Sequence, residues 1–112
     1  MPTEPYLSPP QIIAPPTESY ADQNRMFQGI PGIERAPNDR LWATWYGGGT
    51  GEDGHNYILL ATSMAPNAWS NITLVINHPN SGLVRAYDPC LWHDPHGKLW
   101  LFWAQGYEHH TD

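Results

Sequence analysis

The chain has 112 residues, with five Lys and Arg against eleven Asp and Glu and a formal charge of −6. That length suits one small domain, the acidic balance excludes a phosphate-rich nucleic-acid partner, and no apolar run approaches the ~20 residues of a membrane-spanning helix. Only 14% of residues are charged, while 12 are proline, 10 glycine, 6 tryptophan and 6 tyrosine, which argues against a coiled coil and for a fold packed around large rings or for sugar-stacking surfaces.

Residues 1–26 hold six of the twelve prolines (Pro2, Pro5, Pro9, Pro10, Pro15 and Pro16) among Thr, Ser, Glu and Gln. Proline removes amide donors and fixes φ, so an extended, largely irregular arm is expected, with Ile12 and Ile13 able to dock it on a neighbouring surface. Met1-Pro2-Thr3-Glu4 has neither the basic nor the apolar region of a secretory signal, so a cytoplasmic location is expected and the sequon Asn71-Ile72-Thr73 would be idle. From Met26 onward the pattern is β. Strands are predicted over 40–46, 56–62, 72–76 and 98–104, each short, apolar and bounded by turn residues, with 47–51 as a glycine-rich loop. The last of these strands is apolar at nearly every position, as expected if both its faces are covered. No stretch has helical periodicity, and the fold class expected is all-β.

The chain also repeats itself. Shifting residues 30–48 by 58 lays them over 88–106 without a gap, and Pro31, Pro37, Leu41, Trp42, Trp45 and Gly48 fall on Pro89, Pro95, Leu99, Trp100, Trp103 and Gly106. Six identities in nineteen positions, both strand tryptophans among them, mark a recurring strand–turn–strand hairpin. A hairpin that recurs after two further strands is the signature of a β-propeller blade. The expected layout is an arm over 1–26, one four-stranded antiparallel blade over 27–82, and the first hairpin of a second blade over 83–112. Propellers close with about four to eight blades, so the chain is read as an amino-terminal fragment whose partners include the remaining blades. The competing layout is a ring built from several copies. Cys90, alone in the chain, excludes an internal disulfide framework and, matched to Gly32, is expected in the core.

Four segments resemble the sialidase (neuraminidase) superfamily with its Asp-box repeats. Ile30-Pro31-Gly32-Ile33 with the turn 36–39 and Leu41-Trp42-Ala43 is similar to that family's first-blade motif. Residues 47–53 lie where the family carries its acid/base aspartate. Ser63 to Ser70, with Trp69 as the inter-blade plug, occupies the place of an Asp-box, and Asp88-Pro89 followed by 94–100 resembles the opening of the second blade. The departures are specific. Gly29 stands where the family has a carboxylate-gripping arginine, the loop 47–49 lacks another, and the Asp-box is one residue short without its Asp, Gly and Thr. The resemblance therefore implies a glycan-processing propeller, a glycoside hydrolase with specificity departing from sialic acid. The alternative is a non-catalytic propeller that binds carbohydrate or protein.

On that resemblance Asp53 is the expected proton donor, brought over the channel mouth by the glycine-rich loop, with Glu52 as the adjacent alternative and Trp45 or Tyr46 as an apolar wall. Gln28, Tyr87 and Asp88 open the inner strands of the two blades and are expected to face the sugar. Arg85 just before them is placed to meet an anionic sugar. Arg35 lies further down the inner strand and is counted with the ligand-facing residues, against a reading in which it pairs structurally with Glu34. The commoner fates of these groups are a solvated acidic loop for Glu52 and Asp53 and a turn cap for Asp88. His93-Asp94-Pro95-His96 and Glu108-His109-His110 lack zinc-ligand spacing, and neither a metal nor a cofactor is expected.

Overall fold

The computed structural model describes residues 4–65 and 67–107. Seven strands run through it: β1 (Gln11–Ile13), β2 (Gln28–Arg35), β3 (Leu41–Gly47), β4 (Tyr57–Ser63), β5 (Leu74–Asn77), β6 (Val84–His93) and β7 (Leu99–Tyr107). The described residues contain three single-turn 3-10 segments, all before residue 25, and no α-helix. The all-β expectation holds. The strands form two antiparallel sheets, one of five strands in the order β1-β5-β4-β3-β2 and one of β6 and β7.

The sequence repeat is a repeat in three dimensions. In the first hairpin Gly29 pairs with Tyr46 and Gly32 with Thr44, and the register slips between them. In the second, Tyr87 pairs with Ala104 and Cys90 with Phe102, with a slip at the same place. Each of these residues is 58 positions from its counterpart. The slip is a β-bulge whose first residue has positive φ in both copies, Ile30 at 51° and Asp88 at 48°. The turns match as well. The Ala36 amide donates to Arg40 O at 2.8 Å and the Asp94 amide to Lys98 O at 2.9 Å, with Asp39 (φ 70°) and Gly97 (φ 84°) at the corresponding left-handed position.

Alternation along the strands gives the five-stranded sheet two apolar faces. On one, Tyr46, Ile58 and Ile76 form a buried cluster with Ala86 of β6, and Leu101 and Trp103 of β7 pack against it. This is the contact between the sheets. On the other, Tyr57, Leu59 and Val75 are covered by Ile13 and Tyr20 of the arm. β6 lies close enough over the first face for the His93 amide to donate to Glu34 Oε2 at 3.3 Å.

Three expectations change. The arm is not irregular throughout, because Gln11, Ile12 and Ile13 pair with Asn77, Ile76 and Val75 and lengthen the sheet by one strand. It is fastened at several points, since the Gln105 amide donates to Tyr6 O (2.6 Å) and Ser8 O (3.0 Å) and the Tyr107 hydroxyl to Glu4 Oε2 (2.5 Å). Buried His78 accepts from the Asn80 amide at Nδ1 (3.0 Å), which leaves Nε2–H to donate to Ser8 Oγ at 2.9 Å. Secondly, β7 is covered on one face only, with Trp100 41% and Phe102 50% exposed. Thirdly, Cys90 is exposed, because the bulge puts it on the same open face as Trp100 and Phe102. In dilute solution, where the chain is a monomer, a disulfide-forming chromophoric reagent should therefore titrate one thiol per chain at full rate without denaturant. A thiol that reacts only after unfolding would contradict this placement.

Candidate functional site

The glycine-rich segment between β3 and β4 is a shaped loop. Asn56, 1% exposed, organises it from within: its Nδ2 donates to Gly48 O (2.8 Å) and Gly51 O (2.9 Å), and its Oδ1 accepts from the Asp53 amide (3.0 Å). A short backbone bond from the Gly82 amide to Gly54 O (2.7 Å) ties the loop to the connection before β6. The loop and the first residues of β6 are thus held side by side at one end of the two sheets.

Glu52 and Asp53 diverge there. The Glu52 carboxylate accepts from the Tyr46 hydroxyl and lies 4.0 Å from Arg85 Nη2. Arg85 is almost enclosed, its side chain 12% exposed, with its guanidinium 4.1 Å from the Tyr87 ring centroid and 5.5 Å from that of Tyr46. Two of its nitrogens, Nε and Nη2, are buried without a hydrogen-bond partner. Burial, followed by the Glu52 hydrogen bond and charge, pushes the Tyr46 phenol up to about 12. At neutral pH Tyr46 is therefore a firm hydrogen-bond donor and not a phenolate. Tyr46, Glu52, Arg85 and Tyr87 make one compact group with a carboxylate, a phenol and a cation whose donors are not all used.

Asp53 turns the other way. Its oxygens accept from the His55 amide (2.8 Å) and the Thr50 amide (3.3 Å), with His55 Nδ1 3.4 Å away. Burial works to raise its carboxyl, but the His55 and Thr50 amides and the His55 ring outweigh that and hold it below the usual carboxylate range. This is the opposite direction from the one a proton donor needs. Asp53 lines a separate cleft of about 470 Å³ with Thr50, His55, Asn77 and the arm residues Ser19 and Asn24. A second cleft, of about 500 Å³, lies between the arm and Trp45.

The remaining expected residues are spread out. Gln28 is committed to the arm-facing side, where its Oε1 accepts from Arg25 Nε and Trp45 Nε1, both at 2.9 Å, and its Nε2 donates to Asp22 at 3.1 Å. Asp88 sits exposed on the bulge with no side-chain partner among the described residues. Arg35 pairs with Leu41 at the far end of β2, on the order of 20 Å of strand from Gln28 and so away from Arg85. Its expected pairing with Glu34 reduces to a bond from its own amide to Glu34 Oε1 at 3.0 Å. In the Asp-box-like stretch, Ser63 and Trp69 form an isolated bridge, and Pro66 lies outside the described residues. Glu108, His109 and His110 also lie outside them, and the described residues bring together no group of three metal-binding side chains.

Sequence reasoning missed Asn56, whose signal was a lone amide residue between a glycine-rich run and a strand. It also treated Tyr46 as a wall and not as a hydrogen-bonding member of the group. Compared with family models, curated proteins and solved structures, the chain matches none.

Proposed function

We propose that the chain supplies the first blade, and the opening hairpin of the second, of a sialidase-like β-propeller that processes glycans, with further blades completing the ring. The observation that carries this reading is the convergence of the loop after β3 with the start of β6. It sets Glu52 and the Tyr46 hydroxyl against the unfilled donors of Arg85. A guanidinium held on two aromatic rings with free N–H groups suits a carboxylate ligand, here a sugar acid, which would displace the longer Glu52 contact. Glu52, released from Arg85 and still accepting from Tyr46 through one oxygen, would take up a proton from solvent on the other and pass it to the glycosidic oxygen. Asp53 would serve by keeping the loop in shape, and Asp88 by meeting sugar hydroxyls.

One observation favours the non-catalytic alternative: the carboxyl that the resemblance marks as the acid is held ionised. Saturation-transfer NMR on this chain with glucuronic acid and with glucose tests the shared binding step. Transfer to glucuronic acid is expected, weakened at least tenfold in Arg85→Gln, with glucose giving little. No transfer, or an unchanged Arg85→Gln, would overturn the site. Turnover of 4-nitrophenyl glycosides by the chain carrying its further blades separates the two readings. Glu52→Gln should lower kcat by at least 100-fold in an enzyme, whereas binding without turnover selects the alternative.

A further inference from the structure

The repeat supplies a docking rule. The second hairpin packs on the first sheet through Leu91, Leu101 and Trp103, and the residues 58 positions earlier are Ile33, Ala43 and Trp45. The face that receives it carries Gly32, Glu34, Trp42 and Thr44, whose counterparts on the second hairpin are Cys90, Trp92, Trp100 and Phe102. The β2 and β3 part of the receiving face therefore has a counterpart on the second hairpin, the packing face has one on the first, and residues of both counterparts are exposed. Ile33 is 65% exposed, Trp92 48%, Trp100 41% and Phe102 50%.

We infer that the open face of the second hairpin is a seat for the first hairpin of another copy of this chain, so that chains associate head to tail. Two observations favour a second copy as the occupant. The donor face presents Ile33 and Trp45 at the register positions that Leu91 and Trp103 hold in the hairpin already seated, with Ala43 in place of Leu101 and with Trp45 half-buried beside the arm. The seat is also more apolar than the one already filled, with Trp92 and Phe102 in place of Glu34 and Thr44, so its burial yields more. The contact uses different surfaces on the two chains, which makes it heterologous and able to propagate. It rests on the repeat and not on the glycan reading, and it concerns these 112 residues by themselves, where another copy takes the face that further blades would cover.

Sedimentation velocity across a concentration series tests it. The wild-type chain should show species above its 12.7 kDa monomer that grow with concentration. Phe102→Glu on the seat and Ile33→Glu on the donor face change exposed side chains, and circular dichroism should show both folded. Each alone should be monomeric, with association weakened at least tenfold. Mixed one to one, they should form a heterodimer, because each retains the face the other has lost. A wild type that stays monomeric throughout, a mixture that fails to associate, or a Phe102→Glu variant that still associates alone would overturn the proposal.

Discussion

Replacing Tyr46 by alanine should unfold or nearly unfold the chain, at a cost of about 3–5 kcal/mol, the usual range for an aromatic ring deleted from a core. Tyr46 is 0% exposed and is the contact point of three parts of the molecule: its own sheet through Ile58 and Ile76, the second sheet through Ala86, and the loop through Glu52. Phe27 packs at 5.5 Å and Tyr87 edge-on at 6.4 Å, and a methyl group would leave these rings facing a void. A small domain has only about 5–15 kcal/mol of net stability, so this single loss is a large part of it. Tyr46→Phe separates packing from polarity. It keeps the ring and forfeits the hydrogen bond to Glu52, which is itself mostly exposed, so about 1 kcal/mol is expected from urea melts. The pH dependence differs too. The folded phenol is raised to about 12, so its contribution is fully present below the unfolded value near 10 and is lost as pH rises from there through about 12. Wild type should lose stability relative to Tyr46→Phe over that interval. Parallel curves for the two proteins between pH 9 and 12 would refute the assignment.

How far the structure could be read from residues alone depended on whether the signal was local or relational. The hairpins were legible because their turns, bulges and paired tryptophans recur at one spacing, and a repeat carries its own internal check. The four predicted strands were legible to within three residues, as at β5, which starts at Leu74 and not at Ile72, and at β7, which ends at Tyr107 and not at Ala104. In the arm, docking through Ile13 was legible but the strand was not, because proline content reports missing amide donors and β1 needs only three residues between prolines to pair with β5. Cys90 was misplaced because its match to Gly32 carried over a position and not its cover: β6 lies over the face that holds Gly32, while the equivalent face of the second hairpin is open. For the site, loop composition located the acids but not their direction. Which of Glu52 and Asp53 faces Arg85 is decided by Asn56 and by amides that bind Asp53, and such contacts leave no pattern in the sequence.

The glycine-rich loop itself predicts a graded series, with Gly48→Ala as its severe member. Gly48 has φ +93°, and a Cβ there would stand 2.3 Å from Tyr57 Cε2 and 2.8 Å from His55 O. Neither neighbour can yield cheaply. Tyr57 is 7% exposed and wedged edge-on against Tyr20 at 4.9 Å, and the His55 oxygen belongs to the backbone of the same loop. Backbone strain and overpacking then add, for about 3 kcal/mol. Gly97→Ala isolates the first contribution, since φ is +84° but nothing lies within 4 Å of the added methyl, and about 1 kcal/mol is expected. Gly51→Ala has open space and no left-handed backbone, so no measurable loss should follow. Gly48→Ala should also displace the loop from Asn56, whose Nδ2 bonds to Gly48 O, and so move Glu52 off Tyr46 and Arg85. Its effect should therefore reach the sugar-acid saturation transfer as well as the urea midpoint, whereas Gly97→Ala, in the turn at the far end of β6, should change only the midpoint. Equal losses of midpoint in Gly48→Ala and Gly51→Ala would mean that the loop is not built on these close contacts.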